Sequence, residues 1–271
     1  MNSRNIFIEG IQGSGKSTLV QRLAQELQEL RVCHEGDYSP VELAWCTWMT
    51  GEEYQQILNR YELLREEIIK NTVQEDAHYI VTYTRIITDF TGFHNDLENY
   101  EIYNGRKSVE ELQEIVLSRY EKFKNDNTES NYLFECSFFQ NIVEDLILFH
   151  KLSDDEIVEF YKKLYEKVDK ESFKMVYIYS DDIAENIRKI KEERCDGAGN
   201  EMWFPLMLGY LKESPYGKEK GCHDFDDLIT HFEHRQKLEM RIIKEVIGDN
   251  AYVIPAKKWT MDTILDYIVS K

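Results

Sequence analysis

The sequence contains no apolar run approaching the ~18 residues needed to span a bilayer. It is also short of positive charge, with 33 lysines and arginines against 51 aspartates and glutamates, a net charge of −18. A surface that negative repels phosphate backbones and anionic lipid, which argues against nucleic acid polymers and membranes as general partners. Paired cysteines are missing as well. Cys33, Cys46, Cys136, Cys195 and Cys222 are odd in number, scattered, and form no C-x-x-C, as expected of reduced thiols. Residues 1–6 carry no charged segment leading into an apolar one, so together with the thiols the expectation is a soluble, cytoplasmic chain. Repeats, low-complexity linkers and a guanine-reading Asn-Lys-x-Asp segment are all absent.

What is present points to a folded core. The chain is 42% hydrophobic and 13% aromatic over 271 residues, which suits one enlarged α/β domain. Short apolar runs alternate with helical periodicity. Ile6–Ile8, 31–35, 78–84, Tyr132–Phe134, 174–179 and 252–254 read as strands. Residues 52–73, 108–123, 141–150, 154–168, 181–194, 225–247 and 260–269 read as helices. Ser108 with Glu111 is a capping-box signal. Residues 88–107 and 196–224 read as irregular, the latter with an apolar piece at 203–211. Alternation of this kind predicts a mostly parallel sheet of five strands covered on both faces, a three-layer α/β/α fold with its sites at the carboxyl edge.

The most specific feature follows the first strand. Gly10, Ile11, Gln12, Gly13, Ser14, Gly15, Lys16 and Ser17 satisfy G-x-x-x-x-G-K-[ST] in full, with Thr18 next. Small residues let successive backbone N–H groups wrap phosphates, and the following helix adds its positive dipole end. Lys16 then supplies charge to β- and γ-phosphates, and the Ser17 hydroxyl serves as a Mg²⁺ ligand. Average residue usage would produce the pattern in roughly one chain in a hundred of this length. The expected ligand is Mg·ATP, and the expected fold is of the P-loop NTPase type.

Phosphoryl transfer to a hydroxyl also needs a carboxylate to accept the proton and positive charge on the equatorial oxygens. Glu35, Asp37 and Glu135 stand at predicted strand ends on the same edge as the phosphate loop. Glu135 is a candidate metal or substrate ligand, and either Glu35 or Asp37 a candidate base. Arg188, Lys189, Lys191 and Arg194 form a basic helical segment in an acidic chain. The adjacent Asp196-Gly197-Ala198-Gly199 reads as a hinge, so the region 181–224 is expected to act as a lid over phosphates. Trp45, Trp48, Tyr83, Tyr103 and Trp203 are candidates to line a pocket for a planar acceptor, against a plain core role.

Residues Phe7-Ile8-Glu9-Gly10 through Thr18 resemble the opening of the thymidylate kinase and deoxynucleoside kinase group, and the resemblance continues at matching places along most of the chain. That group carries a carboxylate at the end of its second strand with a tryptophan some residues later, as Glu35 and Trp45 stand here. The Pro-Val that follows the group's glutamate directly comes later here, at Pro40-Val41, which keeps Asp37 in competition. Glu135-Cys136-Ser137 takes the place of the group's Glu-Arg-Ser, so Cys136 stands where an arginine normally holds substrate or phosphoryl oxygens. Residues 177–179, Asp181-Asp182, Ile187-Arg188 and Arg194 are similar to the approach to the group's lid, whose arginines close over the phosphates.

These readings together lead to an expected single domain over 1–271, with a substrate-side helical insertion at about 40–130 and a lid region at about 181–224. The expected activity is transfer of the γ-phosphoryl of Mg·ATP to a small hydroxylated, nucleoside- or nucleotide-like acceptor. A P-loop ATPase or nucleotide sensor without an acceptor, or a non-catalytic binding module, are the alternatives. Homodimerisation is left open. Asp89-Phe90-Thr91-Gly92 matches the short D-x-x-G of GTPases but lacks its partner motif. Cys222, His223, His231 and His234 have no standard zinc spacing.

Overall fold

The computed structural model describes residues 4–27, 30–126, 131–195, 199–256 and 258–269. The chain opens with β1 (Asn5–Gly10), buried along its whole length, and turns through 11–15 into α1 (Lys16–Glu26) and β2 (Leu30–Cys33). A long excursion follows: β3 (Met49–Thr50), α2 (Gly51–Arg60), α3 (Arg65–Lys70), β4 (Thr72–Glu75), β5 (His78–Val81), α4 (Phe93–Glu98) and α5 (Val109–Asp126). The chain then returns through β6 (Asn131–Glu135), α6 (Gln140–Leu148), α7 (Asp154–Glu166) and β7 (Phe173–Tyr179). It closes with α8 (Ile183–Glu193), α9 (Trp203–Glu213), α10 (Pro215–Lys220), α11 (Phe225–Ile242), β8 (Ala251–Pro255) and α12 (Met261–Val269).

Five strands form one sheet in the order β2-β6-β1-β7-β8, with every pairing parallel. The strands lack the strict polar alternation of a half-exposed sheet because both faces are covered. Alternate side chains of β1 enter different cores. Phe7 packs with Phe134, Phe173 and residues of α5, α6, α7 and α11, whereas Ile6 and Ile8 pack with Leu19, Val20 and Leu23 of α1 and Ile264 and Ile268 of α12. From β1 the chain crosses β6 to reach β2, and β7 lies on the other flank. The order therefore reverses at β1, and a crevice is expected at the carboxyl ends of β1, β6 and β7.

The excursion is not purely helical. β3, β5 and β4 make a separate antiparallel sheet, with Thr72 to Glu75 of β4 opposite Val81 to His78 of β5. The strand expected at 78–84 therefore exists but belongs to this small sheet, because alternation identifies a strand without naming its partner. Tyr54, Ile57, Leu58, Tyr61, Ile68, Val81, Phe93 and Leu97 give the excursion its own core. The helix expected over 52–73 breaks at Tyr61, which leaves helical geometry (φ −113°, ψ 50°) while its hydroxyl donates to Asp96 at 2.5 Å. Within 196–224, expected to be irregular, residues 203–213 and 215–220 are helical. Trp203, Met207 and Tyr210 fall at helical spacing, and Ser214 caps Pro215 at the first position of α10. Of the expected hinge, 196–198 lie outside the described residues.

Candidate active site

The glycine-rich turn after β1 is shaped by two close approaches. A Cβ on Gly10 (φ 140°) would stand 2.6 Å from the Ile178 carbonyl oxygen of β7, and one on Gly13 (φ 76°) 2.4 Å from Ile190 Cδ1 of α8. Only glycine admits both the positive φ and the contact. Lys16 folds back into the turn, its Nζ donating to the carbonyls of Gly10 at 2.7 Å and Ile11 at 3.0 Å. No side chain caps α1, and its first turn holds no acid. Ser14 Oγ and Gln12 Oε1 are buried without a hydrogen-bond partner. Open amides at a helix N-terminus beside an unpartnered buried hydroxyl and a lysine make an anion cradle.

The ends of β6 and β2 bring carboxylates beside that cradle. Glu135, closing β6, accepts from Ser17 Oγ at 2.5 Å through one oxygen and from His34 Nδ1 at 2.9 Å through the other. Carboxylate and hydroxyl oxygens in contact are a hard donor pair that suits Mg²⁺ beside a phosphate. Glu35 accepts from Gln140 Nε2 at 2.8 Å and Trp45 Nε1 at 3.3 Å. Asp37 is placed differently. Arg85 pairs with it directly and the His34 amide donates to it, and it does not line the cavity that Glu35 faces. Cys136 adopts the left-handed region at φ 58°, and burial pushes its thiol well above the ordinary range. It lines the cavity as a small neutral group and cannot replace an arginine's charge.

The cradle, Glu35 and Glu135 open onto one cavity of about 1100 Å³. Its basic residues are Lys16 and Arg22 of α1, Lys189 of α8, and Arg194 just beyond α8. Asn186, Ile190 and Glu193 complete the α8 face that lines it. Arg188 lies outside, over the Phe225 ring at 5.5 Å and 4.0 Å from Glu185, and Lys191 pairs with Glu201 at 3.4 Å. Two of the four basic positions thus face the cavity and two do not. Arg188 and Lys191 both turn to the Phe225 ring.

The far wall is of another character. Glu35, Glu101, Glu144, Asn104, Gln140 and Asn141 supply polar atoms there, and the α9 stripe Trp203, Leu206, Met207 and Tyr210 supplies an apolar surface. Trp45 and Tyr103 also line it, whereas Trp48 stacks on His78 at 4.0 Å and Tyr83 is held in the small core, donating to Glu101 at 2.6 Å. Burial raises Glu101 to about 7 even though Tyr83 and Arg106 oppose it. Arg106 is engaged by Glu98 at 2.5 Å and Glu101 at 3.6 Å.

Sequence reasoning missed the network beneath this wall. Glu144 accepts from Arg235 at 3.2 Å and contacts His231 at 3.0 Å; these partners outweigh burial and hold it at about 2. Arg235 also faces Glu239 at 3.0 Å, which accepts from the Tyr177 hydroxyl at 2.6 Å. A glutamate inside the apolar α6 and an arginine inside α11 were the available signal, since buried charges need partners. The same pairing disposes of a zinc reading: His231 serves Glu144 and His234 serves Asp154 at 2.7 Å. His223, Asp224 and Asp227 cluster only as the capping box that opens α11. Asp89 and Gly92 do not reach the cavity.

Among the described residues no helix is long and apolar enough to cross a membrane. No protein-family model and no curated protein matches the chain. A solved structure described as the structure of YGR205w protein aligns over 94% of this chain and 87% of its own, at 13% identity and a TM-score of 0.29. Likeness at that level carries no argument, and the α/β architecture with its parallel sheet rests on the chain's own strand pairing.

Proposed function

We propose that the chain is a P-loop phosphotransferase that moves the γ-phosphoryl of Mg·ATP to a small hydroxylated acceptor. One observation carries the reading: an anion cradle, a Ser17–Glu135 oxygen pair and the carboxylate of Glu35 open together onto a cavity that continues well beyond the cradle. An ATPase that drives a partner has no use for such a far wall.

Each group has a task that its position supports. The amides of 13–18 and Lys16 hold the phosphates, with the lysine exchanging two loop carbonyls for phosphate oxygens. Ser17 and Glu135 would hold Mg²⁺, which when bound offsets charge on the transferring group. Glu35, oriented by Gln140 and Trp45, takes the proton of the acceptor hydroxyl as the new P–O bond forms and the bond to ADP breaks. Lys189 and Arg194 border the cradle from α8 and the residue beyond it, and act as the lid's contribution to transition-state charge.

The charge distribution also bears on the acceptor. Basic side chains lining the cavity come from α1, α8 and Arg194, whereas the far wall offers Glu35, Glu101 and Glu144, and its neighbour Arg106 is already engaged. An acceptor that is itself a phosphomonoester would set its charge beside Glu35, whose donors Gln140 and Trp45 are neutral, and like charges so placed cost several kcal/mol when desolvated. The reading therefore favours an unphosphorylated acceptor with a flat apolar face for α9 and Trp45.

A coupled ADP-release screen tests this, using matched pairs of nucleosides, sugars and amino-polyols with and without a phosphate. ADP release stimulated by unphosphorylated members, with the phosphoryl group recovered on the acceptor, is expected. Release of inorganic phosphate at a rate no acceptor changes would favour the ATPase reading.

A further inference from the structure

We propose that His34 is a positioning residue for Glu135: its Nδ1–H fixes the carboxylate so that the remaining oxygen stays with Ser17 to form the divalent-cation site. The inference rests on the phosphotransferase reading above. Glu135 ends β6, and its side chain has three rotatable bonds. Its two oxygens are nevertheless assigned to different partners, Oε1 to Ser17 Oγ at 2.5 Å and Oε2 to His34 Nδ1 at 2.9 Å. Both contacts are to the carboxylate oxygens, whereas Ser137 Oγ donates to the Glu135 backbone carbonyl at 3.2 Å.

The topology brings the imidazole there. β2 pairs with β6 through Cys33 and Phe134, so His34, just beyond β2, and Glu135, the last residue of β6, stand side by side where the sheet ends. The ring is 51% exposed while the carboxylate it holds is 8% exposed. The half-exposed ring is partly screened by solvent, which limits what the contact adds to folding stability, and its value lies in orientation. A carboxylate facing two donors accepts through both oxygens whether the imidazole is neutral or charged, because Nδ1 carries the proton in either form that makes this contact. Partners of this type orient metal ligands, and their loss typically weakens metal affinity 10- to 100-fold. The backbone that presents His34 continues directly into Glu35, so one loop sets both the metal-facing carboxylate and the proton acceptor.

The test uses the full chain saturated with ADP and titrated with Mn²⁺ at one fixed pH, with free Mn²⁺ read by electron paramagnetic resonance. His34→Ala should weaken Mn²⁺ binding by about tenfold or more while leaving metal-free ADP affinity unchanged. His34→Asn places an amide N–H near the position of Nδ1 and should restore affinity to within about threefold of wild type. Equal Mn²⁺ affinity in wild type and His34→Ala overturns the inference alone. An equal loss in both variants also overturns it, since the hydrogen bond would then not be the cause. Absence of nucleotide-dependent Mn²⁺ binding in the wild type would sink the phosphotransferase reading along with it.

Discussion

Glu35 and Asp37 are two residues apart, and their surroundings separate them. Glu35 faces the cavity and is oriented by neutral donors, whereas Asp37 is held by Arg85 outside it. Glu35→Gln should therefore reduce turnover by ~10²–10⁴-fold with little change in ATP affinity. Asp37→Asn should stay near wild-type turnover and lose only its ion pair. Steady-state rates on the two variants decide, and the reverse ranking would move the base to Asp37. Glu135→Gln replaces one acceptor oxygen with an N–H that opposes either Ser17 or His34. It should shift the Mg²⁺ concentration needed for half-maximal rate upward by about tenfold, and an unchanged Mg²⁺ dependence would remove Glu135 from the metal site. The sequence showed all three carboxylates but not which one faces outward, because that depends on Arg85 from a segment 48 residues away.

The helix α8 presents two faces with different tasks. Asn186, Lys189, Ile190 and Glu193 line the cavity, with Arg194 just beyond the helix end, while Arg188 and Lys191 lie over Phe225. Arg194→Ala should cut turnover by ~10³-fold with ATP affinity nearly kept, whereas Arg188→Ala should be close to silent in both. Turnover and calorimetry on the pair check this, and a silent Arg194 removes it from the mechanism. α9 offers a second test. Leu206 is 68% exposed although it lines the cavity beside Trp203 and Met207. Leu206→Ser should change stability by no more than about 0.5 kcal/mol. It should weaken acceptor binding by about 1.5 kcal/mol, roughly tenfold, if the acceptor covers that side chain. Equal acceptor KM in both proteins would free α9 from the site. The basic segment was legible as a helix, but its facing was not, since periodicity places residues on a face without saying what lies opposite it.

Across the chain, the parallel sheet and the glycine-rich turn were readable because local rules fix them: short buried runs between helices, and a turn whose glycines are needed at Gly10 and Gly13. The small antiparallel sheet and the buried Glu144–Arg235–Glu239 network were not, because both depend on partners far apart in sequence. Burial also gives the fold a pH signature. It raises Glu9 and Glu42 to about 8 from an ordinary 4.5. Such groups hold a proton more tightly folded than unfolded, so the stability they contribute is full below about 4.5 and is lost as pH rises towards 8. Within that window each makes the folded chain bind more protons than the unfolded one, so stability falls as pH rises. Glu144, held at about 2, acts in the opposite sense and only below 4.5. Thermal denaturation should show the midpoint falling between pH 5 and 8, with a shallower fall in Glu9→Gln; equal slopes would mean Glu9 is already ionised. The most direct measurement remains calorimetric titration of Mg·ATP into wild type and Lys16→Ala. Saturable one-to-one binding to the wild type, lost in a variant that still melts cooperatively near the same temperature, is the predicted result. Equal affinity in the two proteins, or no binding to either, would contradict a nucleoside triphosphate site at residues 10–18.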